Sequence, residues 1–373
     1  VPQRTDRQIQ PAAGDRGRTR PGGALRRLNG ARRGTGTDDR QPAPRPPPVP
    51  QPPVSGDGRR GGGEIYSADF FRDLSLDRII DAITADWREY DLAPLFRSLL
   101  SDPATIRYRQ EIMRDLDGGG ALPAVRAFSE RMRMLRVRLG NRDKSYYAHE
   151  KQYWFLAACD SYCTAVEVLR AGLGGLDLGA AGLRALRDAL ADYVDSAGFV
   201  RLRSEMRRLQ SDLGAIRYGL LLHGPAITVR PYDGGDDYSA AVEETFAKFR
   251  RDAARNRLVE SPEQAGMNHV EAQIVERVAL LFPEVFGRLR AFCAEHADFQ
   301  DRMIVRCDRD VQFYLAFLRY VEKFRRAGLR FCYPELSRRS KEIAVEGAFD
   351  AALAGKLVDE KTPVVCNDLR LSG

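Results

Sequence analysis

Histidine is scarce in this chain: four among 373 residues, at 149, 223, 269 and 296. That excludes the His-Glu-x-x-His zinc pattern. The closest acid–imidazole neighbours, Glu295 with His296 and His269 with Glu271, read as ordinary surface chemistry. Six cysteines, at 159, 163, 293, 307, 332 and 366, form no Cys-x-x-Cys unit. Cys159 and Cys163 share a helix face, but no neighbouring Cys or His completes four metal ligands, so they read as small core residues. This usage suits free thiols in a reduced, cytoplasmic protein. No stretch approaches the ~18 apolar residues of a membrane-crossing helix. The basic opening has no apolar stretch behind it and does not read as a signal peptide.

Catalytic signatures are equally absent. There is no Gly-x-Ser-x-Gly, no Gly-x-Gly-x-x-Gly and no Gly-x-x-x-x-Gly-Lys-Ser/Thr. In "AALAGKLV", Gly355-Lys356 is followed by Leu357 and lacks the leading glycine, so no backbone cradle for phosphate forms. The expectation is a chain with no catalytic, cofactor-binding or metal-binding residue of its own.

Acidic residues are few at one end. Residues 1–63 hold 13 Arg and 5 Asp, with no Lys or Glu, and 11 of the 20 prolines. The formal charge of +7 therefore belongs to this segment, and residues 64–373 are close to neutral. Text such as "QPAPRPPPVPQPPVSGDGRRGGG" has almost no apolar periodicity and reads as a disordered tail. Three readings stay open: a basic arm for nucleic acid, a passive linker, or spurious translation of GC-rich DNA.

From residue 64 a helical period takes over. Leu76, Ile79, Ile80, Ile83, Trp87 and Tyr90 share one face. In "SDPATIRYRQEIMRDLDGGG", Asp102 is the expected N-cap, Pro103 the first helical residue and the glycines the stop. Three seams spaced 3-4-3-4 follow, of the kind that packs helix on helix. They are Val125, Phe128, Met132, Leu135, Leu139; then Phe199, Leu202, Met206, Leu209, Leu213; then Ile304, Cys307, Val311, Tyr314, Leu318, Val321. Between the last two seams, "AIRYGLLLHGPAITVRPYDGG" is rich in strand formers around the turn His223-Gly224-Pro225 and predicts a hairpin over 215–232. An amphipathic helix through Tyr238, Val242, Phe246 and Phe249, a loop around "VESPEQAGMN" and a long helix from His269, kinked at Pro283, come next. A helix out, a β insertion and helices back make an arm whose tip reaches far from its base.

Several stretches resemble the MutS family of DNA mismatch-repair ATPases, over about residues 70–373. "LFRSLLSDPATIRYRQEIMRDL" is similar to the start of that family's core domain, with Asp102, Ile106, Arg109, Met113 and Leu116 at the matching places. "CDRDVQFYLAFLRYVEKFRRAGLRFCYPEL" resembles its returning helix, where an aspartate opens an apolar helix that runs into an aromatic residue and a proline; Asp308, Tyr333 and Pro334 match. "EIAVEGAF" resembles the first ATPase strand and "PVVCNDLRL" the strand before the phosphate loop, with Pro363 to Cys366 read as short and buried. By the family's spacing the chain stops about a dozen residues before that loop. Two departures mark a divergent branch. Glu346-Gly347 is followed by Ala348-Phe349-Asp350 rather than Arg-His-Pro, and the mismatch-reading domain is missing. Phe128-Ser129-Glu130 and Phe282-Pro283-Glu284 match the family's Phe-x-Glu wedge in letters only and read as core packing.

The expected architecture is mainly α: long lever-type helices, a small antiparallel β-containing clamp-like insertion, and the first strands of a truncated α/β ATPase domain. The divisions are a tail at 1–63, core and outgoing lever at 64–209, clamp at 210–262, returning lever at 263–336 and the ATPase start at 337–373. The resemblance implies backbone contacts to double-stranded DNA, a homodimer of the intact protein, and ATP and Mg²⁺ only where a complete ATPase domain is present. Candidate DNA-binding residues are Arg217, His223 and Arg230 on the hairpin, with Lys248, Arg250, Arg251, Arg255 and Arg257 on the helix after it. Arg126, Arg131, Arg133, Arg136, Arg138 and Arg142, on the helix over 125–142, read as solvated or paired with acidic neighbours. The competing reading is a helical interaction or scaffold protein with no DNA role.

Overall fold

The computed structural model describes residues 68–118, 120–224, 226–234 and 266–371. The tail at 1–63, the helix expected through Tyr238 to Phe249 and most of the loop after it lie outside the described residues.

The described residues are mainly helical, with two small antiparallel sheets. Two short helices, α1 (Ala68–Asp73) and α2 (Leu76–Thr84), open the fold. A 3-10 turn at Arg88–Tyr90 leads to α3 (Ala93–Arg97). Ile83, Leu92 and Leu95 pack with Ala316 in a small apolar cluster, and Ile79, Trp87 and Tyr90 close over it. This is the first amphipathic face of the sequence, folded as its period demands.

Helix α4 (Pro103–Asp117) begins where the sequence signals it. The Asp102 carboxylate accepts from the backbone N–H of Ala104 at 3.2 Å and of Thr105 at 3.0 Å, which satisfies orphan donors of the first turn. Helices α5 (Leu122–Lys144) and α6 (Ala148–Gly174) then run as a long pair. The α5 seam is buried at Val125, Phe128, Met132 and Leu135, and Leu139 packs against the same core. Truncating a side chain such as Phe128 to alanine costs ~3–5 kcal/mol in cores of this kind. Helix α6 is the central element, buried along most of its length from Trp154 to Leu173.

Helices α7 (Ala181–Val194) and α8 (Ala197–Gly214) complete the outgoing half; α8 buries its own seam at Phe199, Leu202, Met206 and Leu209. The chain then changes period, as the sequence predicts. Strands β1 (Tyr218–His223) and β2 (Ala226–Pro231) pair antiparallel, Tyr218 opposite Pro231 and His223 opposite Ala226. Gly224 takes φ 57° at the turn, a conformation that suits glycine.

The return runs through α9 (His269–Leu281), α10 (Pro283–Glu295) and α11 (Arg302–Arg326). Asn268 and Glu271 form a reciprocal capping box at the start of α9. At Pro283 the helix is broken rather than kinked. Phe282 leaves helical geometry at φ −124° and ψ 56°, and Pro283 opens the next helix, where its missing N–H costs nothing. A second correction concerns Asp308. The side chain that opens α11 is Asp301, which accepts from Met303 N at 2.7 Å; Asp308 lies two turns inside, buried against Arg136. The α11 seam from Ile304 to Val321 is buried against α5.

Strand β3 (Ile343–Ala348), helix α12 (Ala351–Asp359) and strand β4 (Asn367–Leu371) follow, β3 pairing antiparallel with β4. Here the expected strand is displaced. Pro363 to Cys366 form no strand, and Val365 and Cys366 are exposed rather than buried. The pairing residues run from Asn367 on: Asn367 faces Ala348, and Leu369 and Leu371 find Val345 and Ile343 as cross-strand partners. No helix of the described residues is long and apolar enough to cross a membrane.

Candidate nucleic-acid interface

The hairpin follows directly on the end of α8, and among the described residues α9 contacts its second strand. Its register sorts the side chains. Opposed residues in an antiparallel pair lie on the same face. Gly219, Leu221, His223, Ala226, Thr228 and Arg230 therefore share one face, and Tyr218, Leu220, Ile227, Val229 and Pro231 share the other. Leu220, Leu221 and Ile227 are exposed, so neither face is covered along its length.

The three hairpin candidates fare differently. Arg217 folds back on the helix it follows, donating through Nη1 to Gly214 O at 2.7 Å and Ile216 O at 3.0 Å. That satisfies carbonyls which the end of α8 leaves open. Arg230 pairs with Asp233 at 3.4 Å with both groups exposed, a contact worth ~0–1 kcal/mol that phosphate could exchange. His223 is exposed at the end of β1. Arg230 and His223 share a face about 13 Å apart along the strand, from ~3.3 Å per residue. Lys248, Arg250, Arg251, Arg255 and Arg257 lie outside the described residues.

The arginines of α5 are engaged elsewhere. Arg136 donates to Asp308 and to Tyr90 Oη and reaches Glu89 at 3.3 Å. Arg138 donates to Ala157 O and Ser161 Oγ, each at 2.7 Å. Arg133 pairs with Glu130, Arg126 with Glu322 and Arg142 with Asp143, while Arg131 caps Ala127 O. Arg136 and Arg138 are thus tied into the fold, while Arg126 and Arg133 are exposed in surface ion pairs. Phe128 is fully buried in the core, as its helical seam requires, so it cannot wedge between bases.

Among the described residues one group of potential metal ligands draws together: Glu205, Glu295 and His296 place ligand atoms within 4.8 Å of one another. Arg201 already bridges both carboxylates, and His296 Nε2 meets Glu205 Oε2 at 2.8 Å. Hydrogen bonds from His296 and Arg201 hold the Glu205 carboxyl below its ordinary range. Arg201 offsets part of the triad's negative charge, and the group ties α8 to α10. Cys159 and Cys163 are buried thiols; burial raises both, Cys163 to about 12, so they remain protonated core residues.

A cleft of about 750 Å³ lies between the 86–90 turn, α5 and α11. Its rim alternates in sign, with Arg319 on Asp86 at 2.9 Å and Lys323 on Asp359 at 2.8 Å. The sequence showed neither cleft nor triad, because both assemble residues from helices distant in sequence. Compared with family models, curated proteins and solved structures, the chain finds no match.

Proposed function

We propose that this chain supplies the core, lever and clamp elements of a MutS-like DNA-binding ATPase and grips the backbone of double-stranded DNA through the β1–β2 region. The observation that carries the reading is the hairpin's setting. A long helix with a buried seam leads out, a two-stranded ribbon with exposed residues on both faces follows it, and helices with buried seams lead back. Phosphate contact needs only Arg or Lys on an accessible surface, and Arg230 supplies one on the hairpin face it shares with His223. In the intact protein, ATP binding would move the levers and change the grip. On this reading residues 337–373, which hold β3, α12 and β4, are the start of the ATPase domain. The 373-residue chain itself has no phosphate-loop motif and is expected to bind neither ATP nor Mg²⁺ in the family manner. Duplex binding measured by fluorescence anisotropy over a salt series tests the reading; binding without salt dependence would remove it.

A second reading has its own observation. Leu220, Leu221 and Ile227 leave apolar surface on both hairpin faces, which suits a protein partner better than a phosphate backbone. A helical interaction protein would bind no duplex at any salt.

A further inference from the structure

A smaller cleft of about 290 Å³ opens between α4, α11 and the residues that follow α11. Its walls are apolar. Phe96 stacks on Phe313 at 4.5 Å, and Met113, Phe317 and Phe331 continue the lining. Three charged groups interrupt this surface: Arg109 and, across the cleft, Asp117 with Arg325. Arg109, on α4, sets its guanidinium over the Phe313 ring at 5.1 Å. Its Nε is buried with no acceptor, and among the described residues no carboxylate, carbonyl or hydroxyl accepts from the side chain.

The opposite wall shows the contrast. There Arg325 is held by Asp117 through two bonds, at 2.5 and 2.6 Å. A guanidinium stays charged even where burial depresses its pKa, as burial does for Arg109. Partly desolvated and unpaired, it is an uncompensated charge, and such a group gains most from a carboxylate that matches its fork. A ring stacked beneath it supplies only a cation–π contact.

We propose that this cleft binds a small apolar carboxylate, a monoacid with one aromatic ring or a short branched body, whose carboxylate pairs with Arg109 while the body lies against Phe313, Phe317 and Met113. The volume is at the lower edge of ordinary ligand pockets, ~300–1,000 Å³, which suits one ring and a short chain rather than a peptide segment. The proposal is independent of the DNA reading.

The test uses the full chain with 3-phenylpropionate and its neutral twin 3-phenylpropionamide, followed by ligand-observed NMR and titration calorimetry. The acid should saturate with a Kd of about 0.1–1 mM, in line with its size, and the amide should bind at least ~10-fold more weakly. Arg109→Met should erase the difference between acid and amide. That variant should also keep the wild-type Tm, since it removes an unpaired charge rather than a bond. Should Arg109→Met unfold, Arg109→Lys keeps the charge without the fork and should show a reduced preference. Met113→Trp, which fills the cleft, should weaken acid and amide alike. Equal binding of the two probes to the wild type, no saturation by the acid at ~10 mM, or an acid preference that persists in Arg109→Met would each overturn the proposal.

Discussion

Trp87 Nε1 donates to Gln312 Oε1 at 3.0 Å, joining residues 225 positions apart in sequence. The same amide donates through Nε2 to Ser129 Oγ at 2.8 Å and to Asp308 Oδ1 at 3.0 Å. Gln312 is 2% exposed, so one buried side chain pins the 86–90 turn, α5 and α11 together. Gln312→Leu keeps the volume and strands three polar groups. It should lower unfolding free energy by about 1–3 kcal/mol in urea titrations followed by circular dichroism. A loss within ~0.5 kcal/mol, as surface changes give, would show that the network adds nothing.

Asp310 sits half-buried on α11 with Oδ2 unpartnered, and burial raises its carboxyl from 3.8 to about 6. The sign follows from linkage. Between those values the folded chain holds a proton that the unfolded chain has released, so this group's contribution to stability falls as pH rises through the window and stays low above it. Asp310→Asn cannot ionise. Its Tm should exceed the wild type's near pH 7.5 and equal it near pH 4, in a scanning series across that range. An equal offset at both ends would mean that the substitution acts through packing alone.

Where a signal is local, the sequence carried it. The 3-4 seams of α5, α8 and α11 are buried as spaced, because a helix's period alone decides which residues share a face. The hairpin was legible from its strand formers and its His-Gly-Pro turn. Misplacing β4 has a physical reason: Pro363 to Cys366 is the more apolar run, yet cross-strand partners for Leu369 and Leu371 fix the pairing. The Gln312 network and the Arg109 cleft were not legible at all. Each joins helices far apart in sequence, and nothing in a helical period tells which two faces will meet. Asp308 illustrates the limit. Its place in a family-like stretch suggested a helix start, while its partner Arg136 on α5 makes it a buried ion pair.

Gly172 lets α6 pack close against α5: a Cβ built there would lie 2.3 Å from Ala124 Cβ. In an open helix, Gly→Ala stabilises by about 1 kcal/mol. Here the methyl has no room, so Gly172→Ala should destabilise by about 1–3 kcal/mol. The exchange Ala124→Gly with Gly172→Ala should recover most of that loss. A double-mutant cycle on Tm and urea midpoint would then show a coupling above ~0.5 kcal/mol. Additive effects would place the strain elsewhere.

The remaining prediction separates the two functional readings. Residues 64–373 are nearly neutral, so any grip on DNA must come from a local basic patch rather than from the net field. Removing residues 1–63, with their 13 arginines, takes away the nonspecific attraction that would mask it. On this body, duplex affinity should fall with salt at a log–log slope near −0.9 for each phosphate neutralised. Arg250, Arg251, Arg255 and Arg257 changed together to Gln should flatten the slope by up to about four units. Arg230→Gln should flatten it by about one, since only a weak surface pair with Asp233 competes for that side chain. Arg217→Gln should change it less, because the Arg217 guanidinium is spent on the carbonyls of Gly214 and Ile216. An interaction protein built on the apolar hairpin faces gives a different pattern: no duplex binding by the body, and partner binding lost in Leu220→Asp and Ile227→Asp. Duplex binding with a slope that all three basic variants leave unchanged would take the hairpin and the segment after it out of the mechanism.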